Sequence, residues 1–61
     1  MNIMDAVNVI ESGDADWEEY CEAFQCLIDS GTVWALQGSY GRQAMVLLQE
    51  GYCHAPQQAT A

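Results

Sequence analysis

Three thiols, one imidazole and nine carboxylates are the side chains of this chain best suited to chemistry. The thiols are Cys21, Cys26 and Cys53, and the imidazole is His54. Adjacent Cys53 and His54 offer two metal ligands, but a structural zinc needs a second pair at a suitable spacing, and none is present. The carboxylates lack a His or Lys partner for general acid–base work, and so short a chain leaves little room for a water-excluding cleft. Gly38 and Gly41 have neither the spacing nor the following Lys of a phosphate-binding loop. No catalytic residue, metal site or cofactor is therefore expected, and binding rather than turnover is the chemistry to look for.

The carboxylates themselves are the leading candidate. Nine of them face a single basic side chain, Arg42, for a net charge of -8. Asp5, Glu11, Asp14, Asp16, Glu18, Glu19, Glu22 and Asp29 all lie in the first half, where there is no Lys or Arg. Such a surface repels phosphates and anionic membranes and attracts basic protein surfaces. Glu18, Glu19, Glu22 and Asp29 are expected on the exposed side of one helix, where they would form a ladder able to dock into a basic groove. The bland alternative is a solvated face that keeps an apolar-rich chain in solution.

Four other residues carry competing readings. Cys26 is expected to point away from the apolar stripe of its helix, as a tolerated surface thiol or an interface contact. Arg42 falls early in a helix, where the dipole disfavours a cation; it either pairs with an internal acid or contacts a partner. Trp34 and Tyr40 lie on an irregular stretch between helices, where aromatics often anchor interfaces. The site expected for a partner thus comprises Glu18, Glu19, Glu22, Asp29, Trp34, Tyr40 and Arg42.

The elements that must position these residues are helical. Asn2 caps a first helix from Ile3 to about Glu11, ended by Gly13, with Ile3, Val7 and Ile10 inward and Met4 and Ala6 beside them. Asp14 or Asp16 caps a second helix that ends near Ser30 at Gly31, and Asp16 with Glu19 has capping-box spacing. Trp17, Tyr20, Cys21, Phe24, Leu27 and Ile28 recur at the spacing of one buried face. Thr32 is expected to cap a short helical segment from Val33 to Gln37. Ser39 is expected to cap a last helix from Tyr40 to about Glu50, ended by Gly51, with Tyr40, Ala44, Leu47 and Leu48 as its stripe. The expected fold is all-α: a bundle of three main helices plus a short helical segment over residues 1–53, followed by a flexible tail over 54–61.

A domain of about 60 residues buries only about 60% of its unfolded surface and is marginal alone. Yet 51% of this chain is hydrophobic. Cys21 and Cys26 lie five residues apart on one helix, too far to bridge; one of them could reach Cys53, but nothing in the sequence demands it, and the thiols are expected to be free. Homodimerisation through Met45, Val46 and Leu48 is the expected remedy. The odd thiol count, the lack of a basic, apolar leader and the short longest apolar run, Ala44 to Leu48, point to a reducing cytoplasm, with no membrane span.

Tyr20, Glu22, Ala23, Gln25, Leu27, Ile28, Asp29, Ser30 and Gly31, then Trp34, Leu36, Gln37 and Gly38, then Gly41 and Arg42, and finally Gly51 and Cys53, form a recurring pattern. The chain in this respect resembles a family of small tailed-bacteriophage proteins that form a domain of unknown function. The match runs over about residues 17–53, with Ser30 where that family often has Thr. The resemblance implies a phage setting and the cytoplasm of an infected bacterium, and carries no catalytic residues with it. Small phage proteins of this kind often inhibit host proteins by stoichiometric binding. The combined reading is an acidic protein that binds and inhibits a bacterial host protein, such as a defence nuclease or helicase with a basic nucleic-acid-binding surface, without contacting nucleic acid itself. Alternatives are a structural or regulatory phage protein whose acidic face serves solubility, and an adaptor that recruits a host enzyme.

Overall fold

The computed structural model describes residues 1–56. Four helical elements follow one another: α1 (Ile3–Ser12), α2 (Trp17–Ser30), a single 3-10 turn (Thr32–Trp34) and α3 (Gly38–Gln49). Among the described residues there is no strand. The architecture is all-helical, as the periodicity requires. The part of the expected tail that begins at residue 57 lies outside the described residues.

Local chemistry sets the helix ends. The Asn2 side chain accepts the Asp5 N–H at 2.8 Å, and Asp16 accepts the Glu19 N–H at 2.8 Å, so Asp16 rather than Asp14 caps α2. Each cap satisfies one of the backbone donors that a helix start leaves without an internal partner. Gly31 ends α2 at φ 79°, and its N–H returns to the Ile28 carbonyl at 3.0 Å. That left-handed conformation is open to glycine without a Cβ penalty.

Two boundaries differ from expectation. Thr32 does not cap a segment reaching Gln37. Its N–H donates to Ser30 Oγ, and its hydroxyl lies 2.9 Å from the same oxygen, so the chain makes only one tight turn before Ala35. Ser39 does not cap α3 either. The Gln37 carbonyl already accepts the Tyr40 N–H at 2.9 Å, which places Ser39 inside the first turn.

The core gathers Ala6, Ala23, Phe24, Leu27, Ile28, Val33, Ala44, Leu47 and Cys53. α1 packs most extensively on α2, and the 3-10 turn bridges α2 and α3. The inward set of α1 differs from the expected Ile3, Val7 and Ile10. Ala6 is its fully buried residue, Val7, Val9 and Ile10 are half-buried, and Ile3 and Met4 are exposed. Ala23 on α2 is likewise fully buried. The core of both helices thus includes small residues beside the bulky stripe.

Trp17, expected in the buried face of α2, is 52% exposed. It sits on the first turn, beyond the end of the core, and stacks on Tyr20 with ring centroids 5.6 Å apart. In α3, Ala44 and Leu47 are buried, and Tyr40 and Leu48 are half-buried against the core. Met45 and Val46 are 49% and 48% exposed. Among the described residues no helix is long and apolar enough to cross a membrane.

Candidate functional site

Glu18, Glu19, Glu22 and Asp29 are all exposed on α2. At about 3.6 residues per turn, Glu18, Glu22, Gln25 and Asp29 fall along one line, while Glu19 is turned well away from it. The fold therefore builds a ridge from three of the four expected carboxylates. Gln25 fixes one end: its Nε2 donates to Asp29 Oδ1 at 2.9 Å and to the His54 carbonyl at 2.8 Å.

A groove borders the ridge on each side. Met1, Glu22, Gln25, Cys26, Asp29 and Ser30 line an open one of about 500 Å³. Glu18, Cys21, Glu22, Gln25 and Tyr52 line the other, of about 360 Å³. Cys26 is half-buried rather than projecting into the acidic surface, because the N-terminus crosses it. Its thiol donates to the Met1 carbonyl at 3.3 Å.

Tyr52 reaches its groove because the chain reverses after α3. Gly51 adopts φ 85°, and the N–H groups of Tyr52 and Cys53 both donate to the Leu47 carbonyl, at 2.9 and 3.1 Å. The reversal buries Cys53, whose thiol donates to the Cys21 carbonyl at 3.5 Å. Burial raises the Cys53 thiol above its ordinary value, with the Cys21 and Asp29 charges adding to the effect. Burial raises Cys21 as well. Both shifts favour the neutral thiol, the form that is neither the nucleophile nor the metal ligand.

The remaining expected site residues lie elsewhere. Trp34 is 51% exposed, and its ring lies over Gly41 of α3, 3.7 Å from where a Cβ would stand. The space around Gly41 is thus filled by a tryptophan of the same chain. Arg42 is exposed and extends back over Gly38. Among the described residues, the hydrogen bonds that side-chain carboxylates accept come from the Glu19 N–H, Gln25 and Tyr40, so the expected internal partner for Arg42 is not found. Neither Trp34 nor Arg42 lines the grooves beside the ridge.

Tyr40 is used internally. Its hydroxyl donates to a Glu11 carboxylate oxygen, and its ring tilts against Phe24 with centroids 6.0 Å apart. The Glu11 hydrogen bond first, then burial and the Glu11 charge, push the phenol up to about 12. Tyr40 therefore ties α3 to α1.

Spacing places Gln25 on the polar side of α2 with Glu18, Glu22 and Asp29, but sequence reasoning missed its pairing with His54, and it missed Tyr52 and the exposed role of Trp17. The available signal was Cys53, a residue type usually buried, standing two positions beyond a helix-ending glycine. A buried Cys53 would have drawn Tyr52 back onto the bundle. Among the described residues no three metal-binding side chains gather.

No curated protein and no solved structure matches the chain. A family model described as a domain of unknown function (DUF7417) matches residues 1–61, so the chain belongs to that family.

Proposed function

We propose that this chain is a non-enzymatic docking protein that binds a basic protein surface through the ridge of α2. The observation that carries the reading is the alignment of Glu18, Glu22 and Asp29 on one exposed line, in the half of the chain that holds no Lys or Arg. Uncompensated carboxylates on one rigid helix raise the encounter rate with a positive surface and reject an acidic one. The phage setting, the cytoplasm of an infected bacterium, and inhibition of a host defence nuclease or helicase rest on the resemblance to small tailed-phage proteins. A basic cleft that ordinarily holds nucleic acid suits this ridge because the ridge, like the nucleic acid, presents a row of negative charge.

Self-association belongs to the same reading. The whole of α3, Gly38–Gln49, contains no carboxylate, and its outer side presents Met45 and Val46. Charge is thereby segregated from an apolar surface, where a second copy can pack without bringing acidic groups face to face. Trp34, over Gly41 on the same helix, borders that surface.

The test is capture from bacterial lysates, comparing the wild type with a Glu18→Lys, Glu22→Lys, Asp29→Lys variant. The expected result is a specific nucleic-acid-handling protein that is retained at low salt, released at high salt and lost with the variant. Capture unaffected by salt and by charge reversal would remove the ridge from the reading. Purified target assayed with and without the chain then separates inhibition from recruitment.

A further inference from the structure

The groove on the Tyr52 side of the ridge has walls of two different kinds. Glu18 and Glu22, one turn apart on α2, supply carboxylates, and Tyr52 adds an aromatic wall to the same groove. Trp17 stands against Tyr52 edge to face, with centroids 5.1 Å apart and planes at 89°. Tyr52 is 54% exposed and yet is held in place. Its own N–H is bonded to Leu47, the next residue is buried, and the one after that is paired through its backbone to Gln25.

Two anchored aromatics left half in water beside two carboxylates constrain what fits between them. A phosphate or a carboxylate meets like charge. A neutral apolar side chain would strip water from Glu18 and Glu22 with no return. A lysine ammonium satisfies the charge, but it is compact, strongly hydrated and gains little from the ring. An arginine guanidinium satisfies both walls: its face stacks on an aromatic ring while its edge donates hydrogen bonds to carboxylates.

The geometry points to an arginine side chain of a protein partner as the occupant of this groove, stacked on Tyr52 and paired with Glu18 and Glu22. The assignment rests on the docking reading above and adds the place and the chemistry of recognition. It makes the partner's basic surface one that must contain arginine at this contact, not positive charge in general.

The experiment uses the full chain, isotopically labelled for NMR, titrated with oligoarginine and oligolysine peptides of equal length and blocked termini. The expected result is binding of both at low salt, with the arginine peptide about two- to fivefold tighter, as one exposed cation–π contact supplies. Shifts should concentrate at Glu18, Glu22, Tyr52 and the Trp17 indole. Tyr52→Leu keeps an apolar side chain at this position while removing the ring, and should leave the two peptides equal. Gln25→Ala, which frees the wall, should reduce the preference. Equal affinities in the wild type, or an arginine preference that survives Tyr52→Leu, would overturn the arginine assignment and leave docking by charge standing. Absence of binding by either peptide at low salt would overturn the docking reading itself. If the groove signals already move with concentration of the chain alone, and Arg42→Ala stops this, the occupant is a second copy and the partner assignment is wrong.

Discussion

The side-chain amide of Gln25 pairs with both backbone groups of His54, 29 residues away: Oε1 accepts the His54 N–H at 2.7 Å, and Nε2 donates to the His54 carbonyl at 2.8 Å. Nε2 also donates to Asp29, so both of its hydrogens are used. A mid-helix glutamine thus imitates a strand partner for the segment that follows α3, and it joins the acidic ridge to the aromatic wall beside it.

Gln25→Ala should loosen that segment without unfolding the bundle. Three exposed hydrogen bonds are lost together, two of them to His54; the net cost is about 1–2 kcal/mol, because water replaces part of what is removed. Alkylation of Cys53, followed by mass spectrometry, reads the change directly. The buried thiol should label slowly in the wild type and faster in the variant. Equal labelling rates would mean that packing of Cys53 alone holds the turn.

Tyr40 gives the fold a dependence on high pH. The phenol ordinarily ionises near 10, and in the folded chain it is pushed up to about 12. Between those values the unfolded chain releases the proton while the folded chain keeps it. The stability contributed by the neutral phenol is therefore complete below pH 10, falls as pH rises toward 12, and is absent above. NMR titration of the Tyr40 ring should show the high midpoint in the wild type and a return toward 10 in Glu11→Ala. An ordinary midpoint in the wild type would remove the tie between α1 and α3.

Two glycines should respond in opposite directions to alanine. At Gly41 a Cβ would meet Trp34 at an ordinary contact distance of 3.7 Å, so Gly41→Ala should stabilise the fold by up to about 1 kcal/mol through helix propensity. At Gly31, φ 79° is costly for any residue with a Cβ, and Gly31→Ala should destabilise by about 1–2 kcal/mol. Urea unfolding of both variants checks the pair. Destabilisation by Gly41→Ala would mean that Trp34 cannot shift at all.

Ala23 is fully buried in the core. Ala23→Leu should cost about 1–3 kcal/mol by overpacking, even though leucine has good helix propensity. An unchanged urea midpoint would show that the core around Ala23 yields freely to a larger side chain.

Self-association through α3 should give a dimer by light scattering at micromolar concentration. Met45→Lys with Val46→Lys should return it to a monomer while circular dichroism stays helical. A wild type that is strictly monomeric across that range would remove the second copy.

Much of this fold is legible in the sequence because its determinants are local. Asn2 and Asp16 cap because the Oδ1 of a short side chain reaches the N–H three residues on. Gly13, Gly31 and Gly51 take positive φ where helices end, and the Phe24, Leu27 and Ile28 spacing names the buried side of α2. The boundaries that escaped, at Thr32 and Ser39, were set by bonds to Ser30 and Gln37 that compete with capping. Charge segregation is likewise a property of the order of residues, so the acidic face of α2 was expected before any coordinates.

Helical phase, which spacing alone carries, aligns Glu18 with Glu22 and Asp29 and turns Glu19 away. Only the tertiary structure decided what stands beside them. Contacts between residues far apart in the chain withdraw Tyr40 into a bond with Glu11, lay Trp34 on Gly41, cross Cys26 with Met1 and bring Tyr52 to the edge of α2. Spacing along a helix carries little information about such contacts, because they depend on how the helices pack and on where the chain turns after Leu47. The sequence by itself determined helices, caps and a negative face; packing decided that the face has an aromatic wall.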